Sequence, residues 1–499
     1  MLEDFIYTLP LFIVGLGAVV LMLISPIQRI SLRKASIITV LFMSVALIID
    51  LIPMSQMYSV FPFEDTFQAM IVVDTYSGYF SAILLMGAIL TILIGINYFE
   101  KHIQFTTEFF SLFLFSLFGM MLLVHANELI TALIALEIAS LSLYVMIGYQ
   151  KVIERRVEAS YRYLVLGSLS GAFFLLGSSF IYAATQTTHI GKISQYIQNN
   201  IEGDITILLI GVTMIFITFL FKIAAFPFQN WAIDVYDGAP YPVTTFMAAT
   251  FKAAIFGFIL RFVLVDLEMI RDFWDDMFFY IIVFTLLYGS FLAIIQNSLK
   301  RMLAASSIVH TGYLLIAFIS IDIIGKSAAS SIIFYLVAYF LSAIGAFGLL
   351  SYISSDDQVR ISYEDFRGFA HIRPYMAAMM SVFMLSLAGI PSTIGFIGKF
   401  YIFTGAIEAG YPILAVFGIL ATFISVYYYF KLIAIMYFYP SAKMQDVPPL
   451  RGLAPLLIGS LAVAIVWGGV GNILISYFPG VDFLIDMAKL AYESLFAHN

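Results

Sequence analysis

The chain is dominated by long apolar runs, and their number and length restrict its fold more than any other feature. They fall near residues 5–24, 35–52, 72–96, 107–124, 127–148, 160–185, 205–233, 242–264, 277–295, 302–320, 326–353, 374–408, 412–438 and 452–476, each bounded by charge or by Pro, Gly or Asn. A hydrocarbon core about 30 Å thick is crossed by about 20 apolar residues in a helix. Backbone polar groups in lipid must be paired within the segment, which leaves helices for runs of this kind. The expected fold is therefore all-α and polytopic, with fourteen transmembrane helices. Composition agrees: 62% of the residues are hydrophobic and 11% charged, where a soluble chain carries about 25% charged. The longest connection, 354–373, is too short for a soluble catalytic domain. Glu3 and Asp4 stand where a cleavable leader has basic residues, so no signal peptide is expected.

The absence of Cys excludes thiolate-bound iron–sulfur clusters, thiolate zinc sites, disulfides and thiol catalysis. With 24 Lys and Arg spread along the chain, no basic surface for nucleic acid is on offer. Their placement does carry information. The connections after odd-numbered helices hold Arg29, Arg33, Lys34, Lys101, Lys151, Arg155, Arg156, Lys300, Arg301, Arg360, Arg367, Arg373, Lys443 and Arg451; the termini and the other connections hold Lys192, Arg271, Lys326 and Lys489. By the positive-inside rule both termini are expected on the outer face, and the lack of a transit peptide together with the compact chain favours a bacterial inner (plasma) membrane.

Six basic residues remain. Arg162 and Arg261 lie near span ends, where long side chains snorkel to the headgroups. Lys222, Lys252, Lys399 and Lys431 lie deeper, and Glu137 and His310 lie near the centres of the fifth and tenth spans. A Lys or Asp at mid-membrane costs about 2.5–3.5 kcal/mol on insertion scales and usually faces a bundle interior. Glu137, Lys222, Lys252, His310 and Lys399, at similar depth in five helices, have the composition of a proton relay. The competing readings are helix-locking ion pairs for Glu137 and the lysines, a hydrogen-bonded core histidine for His310 and snorkelling for Lys431. Lys300 and Arg301 read as topology determinants, and Asp234 and Asp237 as solvated loop acids, with proton collection near an inner entrance as their alternative role.

Two spans carry an internal proline, Pro227 in the seventh and Pro391 in the twelfth, each with a Lys nearby. Proline removes a backbone donor and clashes with the preceding turn, so both helices should break. Helices four to eight and nine to thirteen then form two sets of five with the broken helix fourth in each. Five is odd, so the sets are inserted upside down relative to one another, a recurring transporter arrangement. The expected organisation is 1–106 (helices one to three), 107–265 (first repeat), 277–438 (second repeat) and 452–499 (last helix and tail).

This layout, with Glu137 on span five, Lys222 before Pro227, Lys252 on span eight and Lys399 after Pro391, resembles the antiporter-like subunits of respiratory complex I, which are related to Mrp-type cation/proton antiporters. The strings Phe226-Pro227-Phe228-Gln229-Asn230-Trp231, Tyr236-Asp237-Gly238-Ala239-Pro240, Ser307-Ile308-Val309-His310-Thr311-Gly312-Tyr313 and Gly389-Ile390-Pro391 are similar to signature stretches of that family. Lys rather than Glu at position 399 and the short tail after span fourteen resemble the subunit N branch more than M or L. The resemblance implies a proton-translocating subunit of NADH:quinone oxidoreductase, driven by quinone reduction elsewhere in the complex. It implies an enzyme subunit with no cofactor, metal or redox centre of its own; NAD, FMN, iron–sulfur clusters and quinone belong with partner subunits, and the neighbours are other membrane subunits, one of them antiporter-like. It implies that Glu137 pairs with Lys222, that Lys252 and His310 relay the proton, and that Lys399 exchanges it with the outer face, with Lys431 an additional candidate. An Mrp-type antiporter subunit, or a membrane subunit of a hydrogenase or related quinone-linked dehydrogenase, would use the same groups.

Overall fold

The structure is a computed structural model and describes residues 2–27, 30–55, 64–102, 104–267, 270, 273–321, 326–354, 361–440, 452–474 and 480–495. Arg29, Arg271, Arg360, Lys443 and Arg451 of the orientation argument lie outside the described residues.

The chain is a helical bundle in the order α1 (Leu2–Tyr7), α2 (Leu9–Ile24), α3 (Leu32–Ser55), α4 (Thr75–Lys101), α5 (Thr107–His125), α6 (Leu129–Ile147), α7 (Glu154–Thr185), α8 (Ile190–Asn200), α9 (Thr206–Lys222), α10 (Asn230–Gly238), α11 (Tyr241–Phe246), α12 (Lys252–Asp266), α13 (Asp275–Ile295), α14 (Leu299–Ile319), α15 (Lys326–Ile353), α16 (Phe369–Ile372), α17 (Pro374–Ala388), α18 (Ile394–Glu408), α19 (Pro412–Phe438), α20 (Leu453–Leu474) and α21 (Val481–Ser494). A small antiparallel hairpin, β1 (Glu64–Thr66) and β2 (Ile71–Val73), precedes α4. Among the described residues, eleven helices are long and apolar enough to cross a membrane, with α11 and α12 counted as one; the shorter apolar helices α2, α9 and α17 complete the expected fourteen.

The breaks fall where the prolines require them. Helix α9 ends at Lys222 and the chain resumes as α10 at Asn230; α17 ends at Ala388 and α18 starts at Ile394. Each break holds one non-glycine residue at positive φ, Ala224 at 57° and Ser392 at 77°, conformations that persist only where surrounding packing enforces them. Gly389, at φ 77°, takes the left-handed cap of α17. A third irregularity was not legible in the sequence: Met247–Phe251 forms a π turn between α11 and α12, just before Lys252, and such bulges recur at functional sites.

Small residues let helices approach in place of a hydrophobic driving force, which lipid does not supply. A Cβ at Gly177 of α7 would lie 2.6 Å from the Gly211 carbonyl of α9, and one at Gly211 2.7 Å from the Gly177 carbonyl. The apolar stretches of α11–α12 and α14 are buried along their whole length, and α15 nearly so, while α7 and α19 expose one broad face. The centre of the molecule is therefore built from the helices that carry Lys252 and His310.

Two readings of charge are corrected. Arg261 is not a snorkelling edge residue: it is 4% exposed and binds Asp74 through two hydrogen bonds of 2.8 and 2.9 Å. Asp74 also caps α4, its side chain accepting from the Ser77 amide while the Ser77 hydroxyl accepts from the Asp74 amide. Asp234 and Asp237 are not loop acids, because residues 230–238 are helical; Asp237 is 2% exposed, while Asp234 keeps contact with solvent.

Candidate functional site

The first cluster joins α6, α7, α9 and α10. Lys222 is the last residue of α9, buried, and its ammonium donates to Ser140 Oγ at 2.8 Å and Tyr144 Oη at 3.3 Å. Glu137, Ser140 and Tyr144 sit at i, i+3 and i+7 of α6, one stripe of the helix. Lys222 therefore lies on the stripe that Glu137 begins, but it bonds the two hydroxyls and not the carboxylate, which differs from the direct pair expected from sequence. Glu137 is partly buried, and its Oε1 is enclosed with no hydrogen-bond partner. Gly171 of α7 makes room for that oxygen. Aromatic rings complete the enclosure: the Lys222 Nζ lies 5.7 Å from the ring centroids of both Tyr144 and Tyr163, and Tyr163 stacks on Trp231 of α10 with centroids 4.6 Å apart.

The second cluster is central. Lys252 donates to the Ser307 carbonyl at 2.7 Å and to Thr311 Oγ1 at 3.1 Å, both on α14, and lies 5.1 Å from the Tyr339 ring centroid. Thr311 Oγ1 in turn donates to the Ile223 carbonyl at 2.8 Å. That carbonyl belongs to the residue after Lys222 and is exposed by the α9 break, so one hydroxyl spans the gap between the clusters.

His310, on the same helix, contacts Tyr335 Oη through Nδ1 at 2.6 Å and Tyr429 Oη through Nε2 at 3.3 Å. Its ring packs edge-on against Tyr313, centroids 5.7 Å apart, and the Lys399 ammonium sits 4.6 Å from the Tyr313 centroid. Lys399 reaches back across the second break and donates to the Leu387 and Ala388 carbonyls at 3.0 and 3.2 Å. These are the last carbonyls of α17, where partial negative charge collects at a helix end. Four of the five expected groups, Lys222, Lys252, His310 and Lys399, are thus buried and joined by hydroxyls, carbonyls and tyrosine rings, with Glu137 at one end. Lys431 stands apart: it is half-buried and rests over the Tyr363 ring at 4.5 Å.

Cavities flank this string. One of about 500 Å³ lies against α18 beyond Lys399, lined by Ser327, Ser331, Tyr401, Thr404, Glu408 and Lys489 of α21. Another of about 170 Å³ opens beside α10, lined by Arg155, Glu158, Arg162, Asp234, Asp237 and Arg301. Sequence reasoning missed a third group at the far end of α3 to α5, where Asp50, Asp74 and His125 line a cavity of about 310 Å³. Asp50 offered a signal, since it is the one acid in its apolar run. Among the described residues, no three His, Asp or Glu side chains are grouped to hold a metal ion.

Residues 126–425 match the family described as NADH:quinone oxidoreductase/Mrp antiporter, transmembrane. NADH-quinone oxidoreductase subunit N of Trichlorobacter lovleyi is 39% identical over 429 residues, 86% of this chain and 85% of the relative. Subunit N 1 of Solibacter usitatus is 36% identical over 83% of each chain. Among solved structures, a chain of respiratory complex I from Thermus thermophilus with bound aureothin superposes with a TM-score of 0.76 at 28% identity, covering 93% of this chain and 98% of its own. A chain of the Mrp complex from Dietzia sp. shares the fold, with a TM-score of 0.82 at 18% identity over 100% of this chain and 98% of its own. The string of buried lysines across two proline-broken helices thus stands in a chain that belongs to the subunit N family of NADH-quinone oxidoreductases, membrane subunits of an oxidoreductase complex with an antiporter-like fold.

Proposed function

We propose that this chain translocates protons across the membrane as a subunit of NADH:quinone oxidoreductase, and that Glu137, Lys222, Lys252, His310 and Lys399 carry the proton. The observation that supports this most is the link from Lys252 through Thr311 to the Ile223 carbonyl beside Lys222. It ties the Lys252 ammonium through one hydroxyl to the backbone carbonyl next to Lys222, across an opened helix. Water-filled gaps between such groups are the ordinary setting for intramembrane proton relays.

In this reading the energy comes from quinone reduction in partner subunits. A chain without Cys has no thiolate to offer an iron–sulfur cluster, and the family resemblance assigns the clusters, FMN and quinone to those partners. What this chain supplies is a series of proton acceptors held at fixed depth. The 107–265 and 277–438 units act as two inverted half-channels, the first loading Lys222 from the inner face and the second releasing through Lys399 toward the cavity of about 500 Å³. Both termini then face outward across a bacterial inner membrane, and the neighbours are other membrane subunits of the complex, one of them antiporter-like.

The test is proton pumping measured beside electron transfer in assembled complexes carrying Glu137→Ala, Lys222→Ala or Lys399→Ala. Each is expected to lower pumping by about tenfold or more, the usual cost of deleting a proton-transfer group. Normal pumping in all three assembled variants would overturn the proposal.

A further inference from the structure

The half-helix α10 runs from the Lys222 pocket to the Arg-rich end of the bundle, and both of its ends are held by side chains. At the pocket end Trp231 donates from Nε1 to the Phe221 carbonyl at 2.9 Å and stacks on Tyr163, whose ring faces Lys222. At the other end two acids of α10 sit between arginines of different helices. Asp234 accepts from Arg162 of α7 at 2.8 Å and from Arg301 of α14 at 3.0 Å. Asp237 lies 4.0 Å from Arg155 of α7 and 3.5 Å from Arg301.

Arg301 thus reaches both acids from the second repeat, and its Nε is anchored on Gln296 at 2.9 Å. Its neighbour Lys300 donates to the Asp237 and Ala239 carbonyls at the end of α10. A helix of nine residues with a break on one side and Pro240 on the other has little hydrogen bonding of its own to fix it. Its position is set by these contacts. They join the repeats, because α14 also carries Ser307 and Thr311, the acceptors of Lys252, and His310.

We propose that Arg301 is a positioning residue for Lys222. It latches α10 to α14 through Asp234 and Asp237, and so holds the Trp231–Tyr163 wall that closes the Lys222 pocket toward the Arg-rich face. Releasing the latch lets α10 swing from its break, opening the pocket on that side. The assignment deepens the transport reading above, but its first test does not depend on it.

The chain has no Cys, so a single introduced thiol reports on one place. Ala232, next to Trp231 on α10, is fully buried. In the complex in native membranes carrying Ala232→Cys, the rate of modification by N-ethylmaleimide is read on this chain by mass spectrometry. Adding Arg301→Gln is expected to raise that rate about three- to tenfold and to lower pumping by a similar factor, the scale on which network residues without ligand contact alter coupling. Arg301→Lys, which keeps the charge, is expected to restore both by half or more. If Arg301→Gln fails to assemble, Asp234→Asn breaks the same pair from the other side. An unchanged labelling rate in the assembled variant overturns the latch, whatever happens to pumping. Raised labelling with full pumping overturns its role in positioning Lys222. Lys222→Ala, measured in parallel, separates this from the parent reading: full pumping there takes Lys222 out of the route and leaves the labelling result standing.

Discussion

Gly171 offers a way to disturb the Glu137 carboxylate without removing it. A Cβ at this position would lie 2.5 Å from Glu137 Oε1 and 3.4 Å from its Cδ, with no other described heavy atom within 4 Å apart from its own turn of α7. A carbon–oxygen contact settles at about 3.3 Å, so Gly171→Ala drives the carboxylate back by about 0.8 Å. Two unit charges about 5 Å apart at an effective dielectric of about 20 change their interaction by about 0.5 kcal/mol over that distance, a factor of about two. Misalignment of a proton donor and acceptor adds to this, so pumping is expected to fall by about two- to tenfold. The helix itself gains, since Ala is favoured over Gly by about 1 kcal/mol in a helix interior. The assembled complex should therefore melt at the same temperature or up to about 2 °C higher. The measurement pairs a melting curve with proton pumping per electron transferred, using Glu137→Ala as the lower limit. Full pumping in Gly171→Ala would refute the placement of Glu137 in the route. A collapse of assembly would refute the claim that its carboxylate is the group Gly171 accommodates.

Two further outcomes follow from the contacts. Arg261→Gln strands the Asp74 carboxylate in a buried site and is expected to cost about 3–5 kcal/mol, seen as lost assembly and a lowered melting temperature; Asp74→Asn in the same chain should recover much of it, because Asn still caps α4. A single variant that melts like the unmodified chain would show that pair to be dispensable. Lys431→Ala is expected to leave pumping within about twofold of normal, since its half-buried ammonium rests on the Tyr363 ring apart from the other lysines, a contact worth about 0.5–1 kcal/mol. A loss as deep as that of Lys399→Ala would bring Lys431 into the route.

The bundle was readable because lipid permits so few solutions: a run of about 20 apolar residues is a helix or it is not in the membrane. Pro227 and Pro391 marked the breaks for an equally local reason. What failed to show was set by residues distant in sequence. Arg261 looked like an edge residue because its partner Asp74 lies 187 positions away, and Asp237 looked like a loop acid because Gly238 and Pro240 follow it. The π turn before Lys252 contains no Gly or Pro to announce it. The acceptors of Lys399 are backbone carbonyls, which residue types cannot reveal. The stripe of Glu137, Ser140 and Tyr144 is legible at i, i+3 and i+7, but which of its three polar groups the Lys222 ammonium meets depends on how α9 packs across α6.

That last difference separates two kinds of buried charge in this chain. Arg261 is matched by a carboxylate in a bidentate pair, and neither partner can change its charge without stranding the other, which suits a permanent structural lock. Lys222, Lys252 and Lys399 are instead held by hydroxyls and carbonyls, neutral groups that tolerate an amine as well as an ammonium. A proton can leave Lys252 or Lys399 without leaving an uncompensated negative charge in its cluster. Only Lys222 has a carboxylate within its cluster, on the same helix stripe but not in contact. Glu137 is close enough to bias the charge on Lys222 and too far to fix it. That separation is what a relay needs at the end where a proton is to be loaded and then released.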